Sequence, residues 1–172
     1  TSPNVDLFYP AVEHRQCLEG LELAIRMRRG LSVIRGGIGV GKTTITQAIL
    51  QLAKEAKLRI LLCAPTGRAA KKLSSCTNHS AKTIHRLLKI DPATKKFKHN
   101  ANSPLQADII LIDECSMIDV FLARSLFAAI PDYANVVLVG DIDQLPSVGP
   151  GAFLNDMIQA NPALLSLCII QL

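Results

Sequence analysis

The octapeptide Gly36-Gly-Ile-Gly-Val-Gly41-Lys42-Thr43 constrains this chain more than any other segment. It fits the spacing G-x-x-x-x-G-K-[ST]. It lies between a short aliphatic run, Leu31-Ser-Val-Ile34, and a stretch from Thr43 to Ala56 in which Ile45, Ile49 and Leu52 recur at helical spacing. The local order is therefore strand, glycine turn, helix.

The rest of the chain repeats that alternation. Apolar residues recur at helical spacing from Val12 to Met27, and Arg59 to Ala64 reads as a buried strand halted by Pro65. Gly67 to Leu73 and Lys82 to Lys89 read as short helices, and Asp91 to Leu105 as a loop with room for a small hairpin. Asp108 to Asp113 and Asn135 to Gly140 read as strands around a helix near Val120 to Ile130, and Leu167 to Ile170 as a last strand. Hydrophobic residues make up 49% of the 172 residues and aromatics 4%, so the core is aliphatic. Aliphatic strands joined by helical crossovers predict an α/β fold: a parallel sheet with helices on both faces and ligands at the carboxyl ends of the strands. The length suits one domain, residues 1–172, with a helical segment over residues 1–30 preceding the first strand. No apolar run approaches the roughly 20 residues of a membrane span, and residues 1–10 lack the marks of a signal peptide. Five scattered cysteines without a C-x-x-C pair disfavour a disulfide framework or a zinc site, and the expectation is a cytoplasmic protein.

The glycine turn has a specific chemistry. Glycine lets the backbone wrap closely round an anion, so that amides of Gly37, Ile38, Gly39, Val40, Gly41, Lys42, Thr43 and Thr44 and the positive end of the helix face phosphate groups. Lys42 is placed to hold the β and γ phosphates of ATP, and the Thr43 hydroxyl to ligate Mg²⁺. The plain alternative is an ordinary glycine turn beside an exposed lysine, which the strand-to-helix context argues against. Asp113 and Glu114 end an apolar strand expected beside the phosphate-binding strand. Asp113 there can hold Mg²⁺, and Glu114 can accept a proton from the water that attacks the γ phosphate. Taken alone, this pair equally suits a solvated strand end. Gln144, in Gly140-Asp-Ile-Asp-Gln-Leu-Pro146, can orient water or sense the γ phosphate, or it can be a turn glutamine.

Charge is unevenly spread. Lys54 to Lys98 holds twelve Lys and Arg against two acids, whereas His99 to Leu172 holds one Arg against eight acids. Basic clustering of this kind suits a polyanion, although a solvated surface without a partner has the same composition.

These motifs together resemble the first motor lobe of a superfamily 1 DNA helicase of the RecD type. Ala64-Pro-Thr-Gly-Arg-Ala-Ala-Lys-Lys-Leu73 resembles the family's motif Ia and Thr83-Ile-His85-Arg-Leu-Leu88 its next strand-contacting motif. Ile112-Asp-Glu-Cys-Ser-Met117 resembles motif II, and Gly140 to Gly149 motif III. The resemblance implies a RecA-like P-loop NTPase fold, catalytic roles for Lys42, Asp113, Glu114 and Gln144, and single-stranded DNA at Thr66, Gly67, Arg68 and His85. By itself, His85 also reads as a packed or capping histidine and Arg68 as a surface charge. Gln16 is the candidate for the family's adenine-reading glutamine. It stands about one helical turn farther from Gly36 than expected, and an exposed helix residue is the equal alternative. Ile38 and Val40 replace the usual Pro and Thr, which leaves a backbone-made cradle intact, and Cys115 replaces the usual Ala.

The resemblance further implies 5′ to 3′ movement on single-stranded DNA in repair or recombination, and a second RecA-like lobe bearing an arginine finger. It also implies possible partners among the other subunits of an exodeoxyribonuclease V complex. The sequence given stops at Leu172, before that lobe, as expected of an excised lobe or of a truncated gene product. Losing the finger costs on the order of 10³ to 10⁵ in rate, so the lobe alone is expected to be slow or inactive. Two other readings stay open: a non-catalytic assembly module of a helicase-nuclease complex, and a P-loop kinase or switch acting on a small acceptor. The latter needs its own arginine near the cleft, and Arg124 alone follows His99.

Overall fold

The computed structural model describes residues 19–20, 22–23, 30–35, 41–141, 149–151, 153–159 and 167–171. The aliphatic runs are strands: β1 (Leu31–Arg35), β2 (Ile60–Ala64), β4 (Ile109–Ile112), β5 (Asn135–Gly140) and β6 (Leu167–Gln171), with a short β3 at Ala81–Thr83. They form one six-stranded sheet in the order β3-β2-β4-β5-β1-β6, and every pairing is parallel. Helices α1 (Lys42–Glu55), α2 (Gly67–Thr77), α3 (Ile84–Leu87), α4 (Val120–Ala128) and α5 (Phe153–Gln159) make the connections. This is the α/β arrangement expected from the sequence.

Alternation along the strands explains the layers. Ile110 and Ile112 of β4, Leu138 of β5 and Val33 of β1 face one way, into a cluster with Leu122 and Leu126 of α4. Their neighbours Ile109, Leu111, Val137, Val139 and Ile34 face the other way, against Ile45 and Ile49 of α1 and Leu73 of α2. All residues of β4 and β5 are buried, which is why these runs, Asn135 apart, show no polar alternation.

Four features differ from the sequence reading. The strand that ends at Asp113 does not lie beside β1: β5 pairs with both and separates them. β5, buried along its whole length and apolar from Val136 to Val139, takes this central place with both of its faces covered. Lys82 to Lys89 is not one helix, since residues 81–83 pair with the β2 edge and Thr83 then caps a single turn, its Oγ1 accepting from the Arg86 amide at 3.2 Å. The helix from Gly67 runs on past Leu73 to Thr77 and ends at Asn78, whose left-handed backbone (φ 51°) terminates it. Helix α5 is an element beyond those the sequence pattern predicts, although Phe153, Leu154 and Met157 have helical spacing and meet the first cluster. The Asp91 to Leu105 loop carries small antiparallel contacts, Ile90 with Phe97 and Asn100 with Ser103.

Candidate functional site

Because every strand runs the same way, the residues that follow them collect along one edge. Gly41 enters α1 with φ 87°, a left-handed backbone that glycine adopts without a Cβ penalty, and the Ile45 amide donates to its carbonyl at 3.1 Å. Lys42 and Thr43 follow in the first turn, with Lys42 partly buried, Thr43 exposed and Thr44 partly buried. The Lys42 carbonyl accepts from Thr46 Oγ1 at 3.0 Å, which fastens that turn.

Asp113 and Glu114 leave β4 towards the same place. The Asp113 amide donates to Cys63 O of β2 at 2.9 Å, and Asp113 Oδ1 accepts the Glu114 amide at 2.9 Å. Glu114 itself is left-handed (φ 53°), a conformation that costs a residue with a side chain about 1 to 2 kcal/mol. It starts the 3-10 turn Cys115–Met117. One cleft is lined by Lys42, Thr43, Lys72, Cys76, Asp113 and Glu114. Two lysines and two acidic residues thus line it. Burial pushes the Asp113 carboxyl above its ordinary pKa. The Glu114 amide opposes the shift, the Glu114 charge adds to it, and Lys42 and Lys72 pull the other way. An alcohol and two carboxylates beside ammonium groups are hard oxygen donors, a set that fits a magnesium ion on a polyphosphate. Beneath them, burial pushes the Cys63 thiol up to about 12 and the Cys115 thiol higher still, so both are inert apolar filling.

The candidate DNA residues sit along the same edge, toward β3. Thr66 caps α2, its Oγ1 accepting the Ala69 amide at 3.2 Å while the Ala70 amide donates to Thr66 O at 3.0 Å. The amides of Gly67 and Arg68 precede them and, by helix geometry, have no intrahelical acceptor. Gly67 and Arg68 are exposed. Ala64 is in register with Thr83, which brings His85 to the next position along the edge. His85 is exposed with its ring 5.8 Å from that of Phe97, so the packed and the surface readings of this histidine both describe it in part. Gln16, Gly37, Ile38, Gly39, Val40 and Gln144 lie outside the described residues.

Lys72 was not singled out in the sequence. Its signal was helical spacing: Arg68, Lys72 and Cys76 are four residues apart and fall on one face of α2. Only the packing of α2 beside α1 brings that face to Lys42.

No helix among the described residues is long and apolar enough to cross a membrane. A model of the AAA domain family matches residues 22–150. An ATP-dependent RecD2 DNA helicase of Deinococcus radiodurans is 46% identical over 134 residues, which is 78% of this chain and 18% of that protein. A RecBCD enzyme subunit RecD of Mycolicibacterium smegmatis is 37% identical over 159 residues, 78% of this chain and 29% of that protein. The chain thus spans less than a third of either relative. Among solved structures, the Pif1 helicase from Candida albicans superposes with a TM-score of 0.60 at 18% identity over 95% of this chain and 40% of that one. That likeness bears on the fold, which is RecA-like as the sequence implied. The chain belongs to the AAA domain family and is RecD-like in sequence.

Proposed function

We propose that this chain is the ATP-binding motor lobe of an ATP-dependent DNA helicase that moves on single-stranded DNA, 5′ to 3′, in repair or recombination. The observation that carries the reading is the meeting of Lys42, Thr43, Asp113 and Glu114 in one cleft. The names of the relatives, an ATP-dependent DNA helicase and a RecBCD subunit, support it.

In this reading the amides from Gly37 to Thr44 enclose the phosphates and Lys42 neutralises the β and γ groups. Thr43 and Asp113 would hold Mg²⁺, which supplies charge neutralisation across the phosphates when bound. Glu114 takes a proton from the attacking water, Gln144 orients that water, and Gln16 reads the adenine. Nucleic acid lies across Thr66, Gly67, Arg68 and His85, held through its phosphates and so with little sequence preference and steep salt dependence.

Among the described residues the cleft is lined by lysines and no arginine. By the family resemblance, the arginine that steadies charge in the transition state would come from a second RecA-like lobe of the same polypeptide, with residues 1–172 forming the first. Other exodeoxyribonuclease V subunits are the partners this reading suggests, in the cytoplasm, where the free thiols of Cys63, Cys76 and Cys115 persist.

The test is oligonucleotide-stimulated ATP hydrolysis by the intact polypeptide. Glu114→Gln is expected to cut turnover by on the order of 10² to 10⁴ while nucleotide still binds, as loss of a general base does. Unchanged turnover would remove Glu114 from the chemistry, whereas collapsed turnover with unchanged biological activity would favour the assembly-module reading.

A further inference from the structure

We propose that Ser116 is a positioning residue for hydrolysis: its hydroxyl fastens the segment that follows β5, which carries Gln144, to the turn that carries Glu114. The inference rests on the motor reading and adds to it how the proton acceptor and the water-orienting glutamine are kept in register.

Three observations carry it. First, Ser116 Oγ is buried and has no hydrogen-bond partner among the described residues. A hydroxyl withdrawn from water without a partner is unfavourable, and folded chains keep few of them. The other such atom, Asn135 Oδ1, belongs to the first residue of β5, at the far edge of the sheet from the cleft. Ser116 instead stands two residues beyond Glu114, in the 3-10 turn that Glu114 starts. Second, the end of β5 is pressed on this turn. A Cβ at Gly140 would stand 2.6 Å from Cys115 Sγ and 3.4 Å from the Ser116 amide nitrogen, so glycine brings the two backbones together with no side chain between them. Asp141, next along, is buried as well. Third, the chain returns to the same stretch. A Cβ at Gly149 would stand 2.6 Å from Asp119 Cβ, and Gly151 lies against Val120 with φ 90°. The Val120 amide donates to Pro150 O at 3.3 Å. The segment that carries Gln144 is thus anchored at both ends to residues 115–120, and the unpaired hydroxyl lies between the two anchors in the chain.

Hydrogen-bonding capacity selects the partner. A glutamine side chain has an NH₂ group that donates and a carbonyl that accepts, so it can serve two groups at once. With its NH₂ donating to Ser116 Oγ, Gln144 keeps its carbonyl to accept one hydrogen of the attacking water while Glu114 takes the other as a proton. Asp143, beside it, brings acceptors alone when ionised.

The experiment measures kcat and KM for ATP in the intact polypeptide and in its Ser116→Ala, Gln144→Ala and doubly substituted forms. Thermal midpoints and affinity for a non-hydrolysable ATP analogue are measured alongside. Ser116→Ala is expected to lower kcat on the order of tenfold, as misplacement of a reacting group does. KM and analogue affinity should stay within about twofold. The thermal midpoint should be equal or higher, because the hydroxyl removed is an unpaired one. Adding Ser116→Ala to Gln144→Ala should change kcat by less than about twofold, since the hydroxyl acts through that glutamine. Unchanged kcat in Ser116→Ala overturns the inference. So does a fall in kcat accompanied by a lower thermal midpoint, which would make the hydroxyl a structural bond, and so do equal falls with and without Gln144. Lys42→Ala is the control: if it hydrolyses ATP normally, the motor reading itself has failed, whereas its loss beside full turnover in Ser116→Ala removes this inference alone.

Discussion

Glu114 holds a left-handed backbone at the end of β4 although it carries a side chain, and Asp113 beside it holds a carboxyl that burial makes harder to ionise. Both residues accept unfavourable local terms, the usual mark of a functional position. For Asp113 the sign can be worked out. Its folded pKa is raised, so the folded chain keeps this proton to higher pH than the unfolded chain. Ionisation then costs stability, a cost absent below the ordinary value of 3.8 and fully present above the raised one. Asp113→Asn removes the charge and can still accept the Glu114 amide. Its thermal midpoint should exceed that of the parent chain at pH 7, with the gap closing as pH falls through the window just above 3.8. A variant less stable at pH 7 would show that Lys42 and Lys72 outweigh desolvation. Gly41, Lys42, Thr43, Asp113 and Glu114 were legible as a set because their backbone demands and spacing are local. Lys72 was not, because its place in the cleft depends on how two helices pack.

Elements were legible where burial is total. The runs Ile109–Ile112 and Val136–Val139 are apolar and buried on both faces, and their strand character shows directly. Ala81–Thr83 did not show, being polar and held as an edge partner of β2, while Thr83 gives its side chain to the helix that follows. Thr66 plays the same part for α2, and this makes a test at the scale of one helix. Thr66→Ala deletes the bond from the Ala69 amide and should cost about 1 kcal/mol in urea unfolding. If Thr66 served nucleic acid alone, unfolding would be unchanged and only oligonucleotide affinity would fall.

Across the whole molecule, the order β3-β2-β4-β5-β1-β6 arranges the chemistry. The ends of β2 and β3 present Arg68 and His85, and the ends of β4 and β1 lead to Asp113 and Lys42, with β5 between these last two. The α/β class and the layering were legible from alternation of apolar runs. The adjacency of strands was not, since pairing joins segments a hundred residues apart and no local pattern records it. What brings Asp113 to Lys42 across the intervening strand is the turn geometry on either side: the left-handed Gly41 and the left-handed Glu114. The central claim is that these turns build one magnesium-dependent triphosphate site. It is tested most directly by calorimetric titration of a non-hydrolysable ATP analogue into the chain and its Lys42→Ala variant, with and without Mg²⁺. The account predicts saturable binding at one nucleotide per chain that weakens without the metal and is lost in Lys42→Ala. Equal binding by both proteins, or binding indifferent to Mg²⁺, would contradict it.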